Sequence, residues 1–331
     1  MRRLYVATAD RVLAADDREG WSASTVFRGT ETTALSLHPA APTRPFLGTT
    51  EGLYRSADAG ETWTRLDVGA FEHAHVTAVA IAPGDPDVVY AGTEPSRVYR
   101  SADGGDTWQH RDGLRDLPSA DEWSFPPRPD THHVRWIEVD PRDVGRIHVA
   151  IEAGALIRSS DGGRTWRDRV EGARRDVHSM ATHPDRPGHV WCAAGDGYAE
   201  SDDGGDTWYS PDAGLGDEYC WSVAVDPGDP ETAVLSAAAG PRAAHRSASA
   251  DSTVHRRSGD GGWRPVDGLP TGEGVLRYVL APGVAPGTFY AASNTGLFGS
   301  DDGGVSWDPL PVEWPADLDA RTVAGLAVAA R

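Results

Sequence analysis

The stretch RSADGGDTW, residues 100–108, decides the fold of this chain because close copies of it recur along the sequence. Four similar copies begin at residues 55, 158, 200 and 299, and reduced copies occupy 14–21 and 257–263. Each copy ends in a tryptophan: Trp21, Trp63, Trp108, Trp166, Trp208, Trp263 and Trp307. A polar turn that is repeated on this scale is a feature of architecture before it is a feature of function.

The spacing of the copies predicts the kind of repeat. Successive tryptophans are separated by 42, 45, 58, 42, 55 and 44 residues. A period of roughly 40 to 45 residues, made of short strands and turns, is typical of β-propeller blades. Within one period the segments VTAVAIAP (76–83), VVYAGT (88–93), RVYRSA (97–102) and TWQHR (107–111) have the character of strands A to D. The sequence therefore predicts an all-β fold, a seven-bladed β-propeller that occupies residues 1–331 as a single domain.

The two ends of the chain predict how the ring closes. LYVATAD (4–10) corresponds to a strand B, whereas TVAGLAVAA (322–330) corresponds to a strand A. We therefore expect the C-terminal strand to pair in the N-terminal blade, which removes two open sheet edges.

The composition excludes several classes of partner. A net charge of −19, with all 31 basic residues being arginine, argues against nucleic acid, which binds positive surfaces. No apolar run reaches 18 residues, so no membrane span is expected. The first residues alternate in polarity and do not resemble a signal peptide, which predicts a cytoplasmic protein. Self-repulsion of the acidic surface favours a monomer, and two cysteines are too few for a disulfide framework.

The repeated turn resembles the Asp-box, or BNR repeat, of sialidases, sortilin-type receptors and photosystem II assembly factors. The pattern S-x-D-x-G-x-T-W is complete in four turns, and serine replaces threonine in a fifth: Ser56/Asp58/Gly60/Thr62/Trp63, Ser101/Asp103/Gly105/Thr107/Trp108, Ser159/Asp161/Gly163/Thr165/Trp166, Ser201/Asp203/Gly205/Thr207/Trp208 and Ser300/Asp302/Gly304/Ser306/Trp307. The resemblance implies a propeller in which these turns lie on the outer lower rim. We expect their aspartates to accept N–H groups of their own turn and to have no catalytic role.

Two insertions predict where a ligand binds. They cover about residues 112–131, before the fourth blade, and about 239–256, within the sixth. Both connections belong to the same face of a propeller, so we expect the insertions to act as lids there. The first contains Trp123 and Phe125, and the second contains His245.

The mouth of the channel on that face collects residues that are typical of a ligand site. The predicted catalytic candidates are His133, Arg135, Glu152 and His178. The predicted ligand contacts are His75, Glu94, Trp123, Tyr219, Trp221, His245 and Arg277. This set suits a small polar or anionic ligand.

Several roles remain open for these side chains. His75, His133 and His178 come from consecutive blades and, with Glu152, could hold a divalent metal. They could equally contact a ligand or form hydrogen bonds between blades. Arg135 and Arg277 could clamp an anion by paired hydrogen bonds or bridge to a neighbouring carboxylate. Glu94 and Glu152 serve either in proton transfer or as solvated loop carboxylates, and Tyr219 and Trp221 either stack or pack.

The predicted site indicates a class of function but not a specific reaction. The resemblance includes sialidases, but their Arg-Ile-Pro signature is absent, and the nearest string is RIH at 146–148. The gathered histidines and carboxylates favour a hydrolase or lyase that acts on a small polar or anionic substrate. The alternative is a non-catalytic binding or assembly-factor propeller that uses the same face for a protein partner.

Overall fold

The computed structural model describes residues 2–66, 69, 71 and 74–330. These residues form seven antiparallel sheets, and the fold is a seven-bladed β-propeller. Blade 1 begins with β1 (Arg2–Thr8), β2 (Arg11–Asp16) and β3 (Ser22–Arg28). Blade 2 consists of β4 (Thr32–Ser36), β5 (Phe46–Thr49), β6 (Gly52–Arg55) and β7 (Thr64–Arg65). Blade 3 consists of β8 (His75–Ile81), β9 (Val89–Glu94), β10 (Val98–Ser101) and β11 (Gln109–Arg111).

The next two blades are narrower. Blade 4 consists of β12 (Val134–Val139), β13 (Ile147–Ile151) and β14 (Ala155–Ser159). Blade 5 consists of β15 (Val177–His183), β16 (Arg186–Ala194) and β17 (Gly197–Ser201). In each of these blades a single β-bridge replaces the fourth strand. The bridge joins Arg158 to Arg167 in blade 4 and Glu200 to Tyr209 in blade 5.

The remaining blades and the closing strand complete the chain. Blade 6 consists of β18 (Tyr219–Asp226), β19 (Asp229–Ala238), β20 (Ser252–Ser258) and β21 (Arg264–Pro265). Blade 7 consists of β22 (Val279–Pro282), β23 (Phe289–Ser293), β24 (Gly296–Ser300) and β25 (Asp308–Pro309), and β26 (Val323–Ala330) follows it. The insertion in blade 6 contains one short helix, α1 (Pro241–His245). In the part of the chain described, no helix is both long and apolar enough to cross a membrane.

The C-terminal strand closes the ring. β26 pairs antiparallel with β1, from Arg2 opposite Ala330 to Thr8 opposite Val323. The innermost strands contact one another in an unbroken cycle of β26, β4, β8, β12, β15, β18, β22 and back to β26. The predicted fold and the predicted closure are therefore both confirmed.

The repeated turn has the internal hydrogen bonds expected from its sequence. In blade 3 the Asp103 carboxylate accepts hydrogen bonds from the Thr107 N–H at 2.9 Å and the Thr107 hydroxyl at 2.6 Å. Ser101 Oγ accepts the Gly105 N–H at 2.8 Å and donates to Asp103 at 2.7 Å. Gly105 has a φ of 94°, a region that favours glycine. The bonds from Thr107 and Ser101 hold the pKa of Asp103 at about 2.

In blades 3, 5 and 7 this turn is also held by an arginine of the blade before it. Arg55 of blade 2 donates from Nη1 to the Gly104 carbonyl of the blade 3 turn at 2.7 Å. Arg158 of blade 4 donates to Gly204 O at 3.0 Å, and Arg256 of blade 6 donates to Gly303 O at 2.6 Å. We call Arg55, Arg158 and Arg256 the bridging arginines. They tie neighbouring blades together at the rim, while apolar side chains such as Phe46 and Val89 pack between blades 2 and 3 further in.

Candidate functional site

Both insertions border one cavity of about 540 Å³ on the face where they emerge. The first insertion contributes an apolar wall of Phe125, Pro126 and Pro127. The second contributes a basic wall from α1 and its end: Pro241, Arg242, His245 and Arg246. Glu152, Ala153, Asp176 and Tyr219 complete the lining. The cavity therefore combines an apolar side, a basic side and two carboxyl groups.

The two carboxyl groups come from adjacent blades. Glu152 lies on the turn between β13 and β14, and Asp176 directly precedes β15. One oxygen of each and a ring nitrogen of His178 all lie within 4.8 Å of one another. The Ala153 N–H donates to Asp176 Oδ1 at 2.9 Å, which fixes the orientation of that carboxyl group. The ring geometry thus brings together two acids that are 24 residues apart in the chain.

Glu152 is held in its ionised form. Burial raises its pKa, but the hydrogen bond from His133 and the charge of Arg135 outweigh burial and hold the pKa at about 2. His133 Nε2 lies 2.9 Å from Glu152 Oε2, and Arg135 Nε lies 3.5 Å from the same oxygen. With His178 also within 4.8 Å of Glu152, the structure brings together all four predicted catalytic candidates.

Asp176 has the opposite protonation tendency. Burial and the nearby negative charge of Glu152 raise its pKa to about 6, despite the hydrogen bond from Ala153. At mildly acidic pH the pair therefore consists of one ionised and one protonated carboxyl group. Opposed environments of this kind separate an acid from a base in many enzyme sites.

An aromatic and imidazole cluster lies beside the acids. His178 is almost fully buried and packs against Trp221, with ring centroids 4.4 Å apart and the planes tilted by 33°. Burial lowers the pKa of His178 to about 4. The guanidinium of Arg277 covers the Trp221 ring at 3.6 Å, and that of Arg135 approaches it at 4.6 Å. Such cation–π contacts orient both arginines.

The predicted three-histidine metal site is not formed. His75 is half-exposed beside Glu94, and His133 is directed to Glu152, so neither joins His178. In the described ranges, the group of potential ligands that does converge is Glu152, Asp176 and His178. A divalent cation there would face repulsion from the guanidinium groups of Arg135 and Arg277, so we assign it no metal.

Other predicted contacts do not line the cavity. Glu94, at the end of β9, accepts a hydrogen bond from Arg128 at 2.8 Å, and His75 Nδ1 lies 4.0 Å from its carboxylate. Trp123 is buried in the core between blades 3 and 4, and its Nε1 donates to Ser119 Oγ at 3.0 Å. It anchors the first insertion, whereas Phe125 of that insertion lines the cavity.

Asp176 is the residue that sequence reasoning left without a role. It occupies the position before the inner strand that corresponds to His75 and His133, eight residues before a proline. That position alone gives no sign that Glu152 lies next to it. The one indication in the sequence that Asp176 belongs to the site is its predicted position at the channel mouth, beneath both insertions.

Comparison with known proteins identifies the fold but not the activity. No protein-family model and no curated protein matches the chain. Among solved structures it resembles the GH74 enzyme of Niastella koreensis, with a TM-score of 0.67 and 18% identity over 92% of this chain and 52% of that one. A GH74 xyloglucanase from Xanthomonas campestris gives 0.65 and 19% over 85% and 45%, respectively. YCF48 bound to D1 peptide gives 0.60 and 18% over 88% and 83%.

The extent of these matches limits what they show. The chain spans 38% to 52% of the length of the GH74 structures, which are larger proteins. At these identities the likeness shows the propeller fold alone. It is compatible with an enzyme and with a peptide-binding protein.

Proposed function

We propose that this propeller is a hydrolase or lyase for a small polar or anionic substrate, with Asp176 as general acid and Glu152 as the ionised carboxylate. One observation carries the proposal: two carboxyl groups with opposed pKa shifts lie within 4.8 Å of each other at the wall of a 540 Å³ cavity. Glycoside hydrolysis uses such a pair, with one acid protonating the leaving group and one carboxylate acting on the opposite side.

The charges around the cavity support an anionic or strongly polar substrate. Arg242 and Arg246 line it from the second insertion, and among the described residues neither guanidinium lies in an ion pair. Arg135 already forms an ion pair with Glu152, and Arg277 is buried. The apolar wall at Phe125 offers a surface for the non-polar face of a ring. An acidic saccharide has both features.

The experiment is a hydrolysis assay with 4-nitrophenyl glycosides of neutral and acidic sugars. Activity should be highest below pH 6 and should fall above it, because Asp176 must be protonated and its pKa is about 6. Asp176→Asn and Glu152→Gln should each lower kcat/KM by about 100-fold or more, the usual contribution of a general acid or base. Asp176→Asn should also remove the decline above pH 6.

A matched control is Glu51→Gln. Glu51 is an exposed carboxylate on the corresponding turn of blade 2, outside the cavity, so activity should not change. Hydrolysis that survives both cavity substitutions unchanged would overturn the proposal. Melting temperatures of the variants establish that each remains folded.

The alternative function is a non-catalytic binder of a protein segment. Its support is the open cavity with an exposed Pro126–Pro127 wall, together with the likeness to a propeller solved with a bound peptide. Peptide binding that persists in Asp176→Asn, in the absence of any hydrolysis, would favour this alternative.

The finer features inferred from the sequence remain proposals as well. We propose that the chain is an Asp-box propeller, because its repeated turns carry the Ser–Asp hydrogen bond of that pattern in five blades. We also propose that it works as a cytoplasmic monomer that binds neither nucleic acid nor membrane. The charge of −19 supports this assignment.

A further inference from the structure

Four side chains form a line of hydrogen bonds along one side of the cavity, two of them in its lining. Arg277 Nε donates to His245 Nδ1 at 3.3 Å, and His245 Nε2 lies 3.0 Å from Tyr219 Oη. Tyr219 Oη lies 3.4 Å from His178 Nε2, and His178 Nδ1 lies 2.7 Å from the Cys220 carbonyl oxygen. The line therefore runs from a guanidinium to a backbone carbonyl.

The chemistry of the two ends, together with the neutral state of His178, fixes the direction of every bond. A guanidinium can only donate, so His245 Nδ1 accepts, its Nε2 carries the proton and the ring is neutral. A carbonyl can only accept, so His178 Nδ1 carries a proton. Burial lowers the pKa of His178 to about 4 and that of His245 to about 3, so at pH 7 His178 is neutral and its Nε2 accepts. Tyr219 therefore accepts from His245 and donates to His178.

This direction gives Tyr219 a defined role at the cavity. Its hydroxyl proton is committed to His178, and one lone pair is committed to His245, so the remaining lone pair can only accept. Tyr219 lines the cavity together with the second insertion. We propose that Tyr219 is a specificity-determining residue that requires a hydroxyl or N–H donor on the substrate at that point. The inference rests on the proposed function, since it concerns the same cavity.

The expected discrimination follows from unpaired polar groups. A substrate whose hydroxyl is replaced by a methoxy group cannot donate, and it leaves the Tyr219 oxygen buried against another acceptor. Sites built around such a bond reject analogues that lack it. We expect about a 10- to 100-fold weaker kcat/KM for the methoxy analogue, the range for one buried unpaired group.

The first test needs no substrate. Long-range proton–nitrogen NMR of histidine-labelled protein at pH 7 should show His178 as the Nδ1–H tautomer and His245 as the Nε2–H tautomer. Signals are assigned with His178→Gln and His245→Gln. A reversed tautomer, or an imidazolium at either position, overturns the inference.

The second test uses the 4-nitrophenyl glycoside with the highest kcat/KM and its derivatives in which one sugar hydroxyl at a time is methoxy. One derivative should lose activity in the wild type, and Tyr219→Phe should reduce that difference to less than twofold. Tyr278→Phe, which removes a buried hydroxyl bonded to Pro270 O in blade 7, should leave the difference intact. Equal activity of all derivatives in the wild type would overturn the inference.

The two proposals fail in different ways. If the tautomers are as predicted but the protein hydrolyses none of the glycosides, only the proposed function is contradicted. If the tautomers are reversed but activity depends on Asp176 and Glu152, only the role of Tyr219 is contradicted.

Discussion

At the scale of single residues, ionised carboxylates serve two unrelated purposes. Asp103 and its counterparts close turns at the rim by accepting several hydrogen bonds from their own segment. Glu152 is ionised because His133 and Arg135 surround it inside the cavity. The groups that surround each carboxylate therefore distinguish a structural role, as for Asp103, from the proposed chemical role of Glu152.

Removing the turn aspartate should lower stability in a pH-dependent way. Asp103→Ala should reduce the free energy of unfolding by about 1 kcal/mol at pH 7, because three hydrogen bonds in an exposed turn are lost. The folded-state pKa of about 2 lies below the ordinary value of 3.8, so the stabilisation is complete above about pH 4. The difference from the wild type should shrink as the pH falls through about 2. Urea unfolding at several pH values measures it, with Glu61→Gln at a variable, exposed position of the blade 2 turn as control.

Removing the partner of Glu152 should change the acid side of the activity profile. In His133→Gln the Nε2 contact at 2.9 Å no longer favours the ionised form, and burial then raises the pKa of Glu152 above about 2. Activity should consequently be lost at a higher pH on acidification than in the wild type. His38→Gln, at a histidine bonded to Pro83 O on another surface, should leave the profile unchanged. An unshifted acid limb in His133→Gln would show that Glu152 ionisation does not depend on this contact.

At the scale of elements, the blade is the unit of both packing and prediction. Each bridging arginine donates a hydrogen bond to the turn of the next blade, so the side chain of one blade stabilises the turn of its neighbour. The insertions add to this frame without altering it. Trp123 anchors the first in the core, and the short helix α1 carries the second over the cavity.

Loss of one bridging arginine should weaken one blade interface. Arg158→Gln leaves the Gly204 carbonyl without its donor, while Asp206 keeps its contact with Arg167, so stability should fall by about 1 kcal/mol. Arg97→Gln, an exposed arginine on the loop before β10, should change stability by less than about 0.5 kcal/mol. Equal effects of the two substitutions in thermal unfolding would contradict the role of the bridging arginines.

The elements were predictable from the sequence and the site was predictable only in part. Local periodicity and turn residues determine a blade, so strands such as β8 and β9 lie within two residues of the predicted segments. The pairing of Glu152 with Asp176 depends on the angle between two blades, which no local pattern records. His75 is kept from His178 because blade 4 lies between their blades. Trp123 is an aromatic in a polar insertion, and its burial depends on a core that only the folded blades create.

At the scale of the whole molecule, stability depends on a closed ring. β26 supplies the inner strand of blade 1 and contacts both β4 and β22. Without it, β1 has an open edge, and the apolar faces of blades 1 and 7, including Leu4 and Leu297, lose partners such as Leu326.

Deletion of residues 323–330 should therefore destabilise the entire propeller and not one blade alone. We expect a single broad transition at a lower temperature, together with binding of a dye that reports exposed apolar surface. A synthetic peptide of residues 322–331, added in trans, should restore the melting temperature, whereas a scrambled peptide should not. A truncated protein that melts as the wild type does would show that the ring is stable without its closing strand.

The bridging arginines have a consequence for how such a molecule could grow. Because the donor lies in one blade and the acceptor in the next, the contact is head-to-tail, and duplication of such a pair of blades brings both halves of the bond with it. Gene duplication can therefore insert a copied pair of blades with its internal bond intact. The number of such pairs in the ring is then limited by the curvature of the circle and not by this bond.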